Sequence, residues 1–176
     1  MFEIAVTNRQ LCKGDYFTQI EKVAFHKPFA VLLREKDLDF DKYLALSHEV
    51  NRICTSYGVP VIAHTHAVPG IQRLHVPFAL ANEDLVRQYQ LSVSVHSLEE
   101  ARQAEAMGAQ FVIAGHIFAT GSKPGLPARG IDFLQEICEN VHIPVFAIGG
   151  ISVQNAQQCL DAGAAGICRM SYWMEI

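Results

Sequence analysis

Short apolar runs rich in Val, Ile and Phe alternate along this chain with stretches whose apolar residues return at helical spacing. This is the pattern of βα units wound around a parallel sheet. The runs predict strands over Glu3–Thr7, Phe29–Arg34, Val59–His64, Gln72–Val76, Leu91–Val95, Gln110–Gly115, Pro144–Gly149 and Ala165–Met170. Helical stretches are clearest over Asp39–Tyr57, Ser97–Met107, Ile131–Asn140 and Ser152–Asp161. Ser97 with Glu100 three residues on reads as a capping box, and Gly108 stands where that helix should stop. Ser152 and Gly163 repeat the punctuation. Met107-Gly108-Ala109 and Asp161-Ala162-Gly163-Ala164 both lead straight into a strand, so the two units share one supersecondary design.

Eight such strands predict a single α/β domain over residues 1–176, a (β/α)8 TIM barrel. Barrels of this kind usually take roughly 200 residues or more, so this one must be compact. Two savings are visible: only Thr65–Gly70 links the third and fourth strands, and only Ser171–Ile176 follows the eighth. That last segment is too short for a full eighth helix. The expectation is therefore a truncated helix and an apolar seam, with Tyr172, Trp173 and Met174 exposed or covered by another subunit of a homo-oligomer. An open doubly wound sheet ranks second, because no GxGxxG follows the first strand and no crossover pattern marks a switch point.

Composition narrows the classes of function. The chain has 176 residues, half of them hydrophobic, and a formal net charge of −4 without any Lys/Arg cluster. Nucleic acid is not the expected partner, since a polyphosphate needs a basic surface to displace its counterions. Cys12, Cys54, Cys138, Cys159 and Cys168 are odd in number and widely spaced, which suggests neither a disulfide framework nor a zinc ribbon. The start, MFEIAVTNR, lacks a basic segment followed by a long apolar run, and no uninterrupted apolar window is long enough to span a bilayer. A soluble, cytoplasmic protein with no membrane partner is the expectation.

Candidate chemistry gathers between Val95 and Gly130. There a strand ends in Gly115-His116 and runs into a loop carrying Thr120, Ser122, Lys123 and Arg129. In parallel barrels the working groups lie after the strands, so a histidine followed by hydroxyls and a lysine can hold a phosphorylated substrate beside a general acid/base. Gly149-Gly150 follows the seventh strand and Met170-Ser171 the eighth, where barrels often hold phosphate. Taken alone, a Gly-Gly pair is as readily a tight turn.

Plainer readings stand beside these. His96 next to Ser97 reads as part of a capping turn, and Lys36 lies in the charged run Arg34-Glu35-Lys36-Asp37, which is usually a solvated turn. His64, His66, His75, His96 and His116 all lie at or near strand ends, and His-x-His is familiar as a zinc pair, which keeps a metal-dependent hydrolase as an alternative. Against it, the nearest acids, Glu83 and Asp84, read as first-turn charges of a helix.

The segments VHSLEEARQAE, AGHIFATGSKPGLPARG, IPVFAIGGIS and AGAAGICRMS, with VLLREKDL near the start, resemble the thiamin phosphate synthase superfamily. Within it they are most similar to the thiazole tautomerase branch, once described as a transcriptional regulator. The resemblance implies that synthases hold Mg²⁺ on two aspartates, after the third and fourth strands. Here those places read His64-Thr65-His66 and His75-Val76-Pro77-Phe78, with no carboxylate. Imidazoles are poor Mg²⁺ ligands. Where synthases usually have Gly-Pro, this chain has Gly115-His116, and in the tautomerase branch that histidine is catalytic.

The function so implied is an isomerase of thiamin biosynthesis that converts a carboxylated thiazole phosphate to its aromatic form without metal or other cofactor. The proton moves from the ring carbon bearing the carboxylate to an exocyclic carbon, work suited to an imidazole with an ordinary pKa of about 6.5. The resemblance also implies a substrate-binding set: Thr120, Ser122 and Lys123 at the thiazole, Gly149, Gly150, Met170 and Ser171 at the phosphate, and Ser94. Arg34 and Lys36, which in synthases face the pyrophosphate, are expected to face the substrate carboxylate. Within the superfamily two alternatives remain beside the metal-dependent hydrolase: a synthase-like transferase, and a non-catalytic regulatory paralogue that keeps the phosphate site.

Overall fold

The computed structural model describes residues 1–121 and 125–176. Its strands are β1 Phe2–Val6, β2 Ala30–Leu33, β3 Val61–His64, β4 Arg73–Pro77, β5 Gln90–Val95, β6 Phe111–Gly115, β7 Val145–Ile148 and β8 Gly166–Arg169. They close into a parallel barrel in chain order. Its helices are α1 Tyr16–Phe25, α2 Phe40–Ser56, α3 Glu83–Gln88, α4 Leu98–Met107, α5 Gly130–Asn140, α6 Ala156–Asp161 and α7 Ser171–Glu175. The protein is thus an α/β (β/α)8 TIM barrel. Every residue of β2 is buried, as expected of a parallel strand covered on both faces.

By its internal contacts the chain divides into two units. The first comprises Met1–Phe2 and His75–Cys168. Within it β5 pairs with β6 (Ser94 opposite Ile113, Val95 opposite Ala114) and β6 with β7 (Gly115 opposite Ile148). In α4 the Ser97 hydroxyl accepts the Glu100 N–H at 3.1 Å. The Glu100 carboxylate takes the N–H of His96 at 2.6 Å, so the reciprocal half of the capping box sits one residue early. Gly108 and Gly163 both end their helices with φ 96°, and the next N–H in each case bonds five residues back, Ala109 to Ala104 and Ala164 to Cys159. The repeated punctuation is one C-cap used twice.

The helix expected from Ser152 begins only at Ala156. Asn155 is the reason. Its Oδ1 accepts the Ser152 N–H at 2.8 Å and its Nδ2 donates to the Gly150 carbonyl at 2.9 Å, so these residues form a tied turn instead of a first helical turn.

The second unit comprises Glu3–Leu74 and Arg169–Ile176. β1, β2 and β3 pair in register, Ile4 opposite Ala30 and Val31 opposite Val61. Asp15 caps α1 through the Thr18 N–H at 2.8 Å, and Asp39 caps α2 through Lys42 at 2.9 Å. No helix lies between β3 and β4, so the third connection is indeed shortened.

The carboxyl end corrects one expectation. Trp173 and Met174 are only 6% and 1% exposed, and Tyr172 alone of the three stands out, at 45%. The Trp173 indole N–H donates to Glu3 Oε1 at 2.7 Å, and the Gln19 amide donates to the Trp173 carbonyl at 2.8 Å and the Ile176 carbonyl at 3.2 Å. One short helix, held by α1 and β1, buries its own apolar residues, each burial contributing roughly 1.5–3 kcal/mol. The apolar surface that motivated a second subunit is therefore not presented by Trp173 or Met174.

All five cysteines are free thiols. Burial pushes Cys54 up to about 12, and Cys138 and Cys159 up to about 11. No described helix is long and apolar enough to cross a membrane.

Candidate active site

In the first unit, β6 carries a buried apolar run to Gly115 and delivers His116 just past its end. The Gly115–His116 peptide is cis. His116 is 6% exposed. Its backbone is fixed from two sides. The Ile117 N–H donates to the Ile148 carbonyl at 2.9 Å and the Phe118 N–H to Gly149 at 3.0 Å. In return the carbonyls of His116 and Ile117 accept the N–H groups of Arg129 and Gly130, each at 3.0 Å. Both ring nitrogens are nevertheless buried without a hydrogen-bond partner among the described residues. A buried polar atom left so costs about 1–3 kcal/mol, which a ligand or a water molecule bonded to the ring would offset.

Gly149 and Gly150 pack directly on that segment. A Cβ on Gly149 (φ 105°) would stand 2.5 Å from the Cβ of His116, and one on Gly150 (φ 63°) would meet Phe118 and the Ala119 carbonyl. The lack of side chains is thus explained by close approach of the β7 loop to the His116 strand end. Thr120 lies half-buried in the loop after β6, while Arg129 is exposed, its guanidinium 5.2 Å from the Phe133 ring centre. The expected contacts of Ser122 and Lys123 lie outside the described residues.

Ser94, near the end of β5, contributes to a buried polar group that the residue types alone did not reveal. His75 of β4 stands between two hydroxyls, Nδ1 at 2.9 Å from Ser92 Oγ and Nε2 at 2.7 Å from Ser94 Oγ. The available signal was the spacing: Ser92 and Ser94 alternate with Leu91, Val93 and Val95, so both point to the same face of β5. His96 sits in the α4 capping turn, its Nδ1 3.7 Å from Glu100.

In the second unit, Arg34, Glu35 and Lys36 follow β2. Glu35 is buried and fully engaged, accepting from the Thr7 hydroxyl at 2.7 Å, the Tyr16 hydroxyl at 3.1 Å, and the Arg9 N–H at 3.1 and 3.0 Å. Arg34 is half-buried, its Nη1 4.0 Å from the Met170 sulfur, while Lys36 and Ser171 are exposed. The structure brings Arg34 and Met170 together. Burial lowers the Arg34 pKa, although a guanidinium stays charged.

At the end of β3 the His66 N–H bonds back to the His64 carbonyl at 2.7 Å, closing a three-residue turn with Thr65 at φ 67°. A β-branched residue is strained there. Tyr43 braces the turn: its hydroxyl donates to the Leu33 carbonyl at 2.9 Å and accepts the His64 N–H at 2.8 Å. Burial, then the charges of Arg34, Lys36 and His66, press the His64 pKa down to about 4.

These donors do not suit Mg²⁺. After β3 stand imidazoles and a hydroxyl, Glu35 after β2 is already engaged by Thr7, Arg9 and Tyr16, and on β4 His75 commits both ring nitrogens to serines. No group of three or more His, Cys, Asp or Glu is placed to hold a metal among the described residues.

Comparison with known proteins gives this architecture a family. A family profile described as Thiamine monophosphate synthase matches residues 3–172. The chain is 30% identical to the thiamine-phosphate synthase of Fusobacterium nucleatum, over 94% of this chain and 85% of that one. It is 33% identical to the thiamine-phosphate synthase of Methanocella arvoryzae, over 94% and 84% respectively. In fold it is similar to a thiamine phosphate pyrophosphorylase from Pyrococcus furiosus, with a TM-score of 0.87 at 23% identity, covering 99% of this chain and 88% of that one. With nearly its whole length matched by the profile, the chain belongs to the thiamine monophosphate synthase family.

Proposed function

We propose that the protein is a metal-independent thiazole tautomerase acting on a carboxylated thiazole phosphate, with His116 as its acid/base. The observation that carries this reading is the buried His116 ring, whose two nitrogens have no partner among the described residues. Its neutral form accepts a proton from the ring carbon that bears the carboxylate. The electron pair of that C–H bond enters the ring, and the exocyclic double bond shifts and takes the same proton from the imidazolium. The product is aromatic and no redox partner is needed. Arg34 and Lys36 suit the carboxylate by charge; Thr120, Ser122, Lys123, Gly149, Gly150, Met170 and Ser171 are assigned to the thiazole phosphate through the resemblance.

A synthase-like transferase is the second reading, and the comparisons favour it over the first, because the relatives are named thiamine-phosphate synthases. What favours the isomerase is the donor set: His64, Thr65 and His66 after β3 and His75 on β4 offer no carboxylate for Mg²⁺.

Two assays on the same preparation separate them. The non-aromatic carboxythiazole phosphate is followed by ultraviolet absorbance or NMR without added metal, and pyrimidine pyrophosphate is incubated with thiazole phosphate and Mg²⁺. The isomerase reading expects turnover only in the first. Enzyme-dependent thiamin phosphate at about 1 s⁻¹ or faster establishes the transferase, and silence in both assays with retained product binding establishes the regulatory paralogue.

A further inference from the structure

His75 is 2% exposed and Ser92 1%, whereas Ser94 is half-buried, so the Ser92–His75–Ser94 group runs from the deep interior towards the strand ends. A neutral imidazole has one N–H and one lone pair, which leaves two ways to order the group. With the proton on Nε2, the ring donates to Ser94 Oγ at 2.7 Å and accepts from Ser92 at Nδ1, 2.9 Å away. The Ser94 O–H then points elsewhere, as a donor. With the proton on Nδ1, the Ser94 O–H is consumed by Nε2 and only its lone pairs face outward. The ring's tautomer therefore decides which half of a hydrogen bond Ser94 offers.

We propose that His75 is a positioning residue that locks Ser94 as a hydrogen-bond donor to an oxyanion of the ligand. A carboxylate or phosphate oxygen can only accept, so the Nε2–H arrangement alone is productive. Fixing the hydroxyl before binding removes the cost of ordering it in the complex. The inference rests on the assignment of Ser94 to the ligand, but not on which of the two reactions is catalysed, since both substrates carry oxyanions.

The test is a double-mutant cycle read by titration with the aromatic carboxythiazole phosphate. Ser94→Ala and His75→Leu are each expected to weaken binding by about tenfold. The double variant should bind no worse than Ser94→Ala, and His75→Gln, whose amide N–H can replace Nε2–H, should recover most of the loss. Equal losses from His75→Leu in the presence and absence of Ser94 would mean that His75 only supports the fold, and would overturn the proposal. Should His75→Leu fail to fold, Ser92→Ala removes the donor to Nδ1 and should weaken binding severalfold through Ser94 alone. ¹⁵N NMR of the ligand-free protein tests the role independently: Nε2–H is required, and an Nδ1–H tautomer at His75 refutes the role even if neither enzymatic reaction is observed.

Discussion

Gly149 and His116 stand so close that a methyl group on the glycine would lie 2.5 Å from the histidine Cβ and 2.8 Å from its Cα. The β7 loop is therefore the wall against which His116 is set. Because Gly149 also has φ 105°, alanine there is strained as well as crowded. Gly149→Ala should destabilise the fold by roughly 2 kcal/mol or more and push His116 out of place, and misplacement of a reacting group by about 1 Å can cost 10²-fold in rate. Urea denaturation and turnover measured together check this. A variant with unchanged midpoint and rate would mean the loop yields easily and does not set the histidine.

His116 itself is tested by His116→Asn, which keeps a hydrogen-bonding side chain of similar reach but removes the titratable base. Turnover should fall by at least about 10²-fold while affinity for the aromatic product changes little. Loss of binding in step with activity would show that the ring anchors the ligand and does not move its proton.

The strands are legible in the sequence because a parallel strand covered on both faces must be an apolar run, and all eight lie within two residues of their expected ends. Ser97, Asp39 and Gly108 mark helix ends because capping is local chemistry. The tail is not legible in this way, since counting residues after β8 says nothing of Gln19 and Glu3, distant in sequence, whose side chains hold Trp173. Similarly, His75 looks in the sequence like a bare substitution for a carboxylate, and its commitment to Ser92 and Ser94 emerges only when β4 and β5 lie side by side. The diglycine suggests phosphate by its position after strand seven, whereas its packing on His116 requires the β6–β7 register.

Trp173 measures the worth of the tail. Trp173→Phe keeps most of the buried surface but loses the donor to Glu3, whose carboxylate still accepts Arg169 Nε at 2.6 Å and Nη2 at 2.8 Å. Its cost should be near the ~1 kcal/mol of one hydrogen bond. Trp173→Ala also opens a cavity and should cost about 3–5 kcal/mol. If urea midpoints barely move for Trp173→Ala, the tail does not contribute to closing the fold.

The His64 imidazole gives stability a pH dependence whose sign is fixed by the direction of its shift. Burial, together with Arg34, Lys36 and His66, lowers its folded pKa to about 4, below its ordinary 6.5. Between those values the unfolded chain binds a proton that the folded one refuses, so acid favours unfolding. Stability should be full above about pH 6.5 and fall as the pH drops towards 4, by roughly 3 kcal/mol at most for this group. Below pH 4 its contribution levels off. Other groups titrate in the same window, so the comparison that isolates His64 is His64→Gln against the parent at pH 7 and pH 4.5. The variant should lose less stability on acidification, and equal losses in the two proteins would mean that His64 accepts its proton in the folded state as readily as in water.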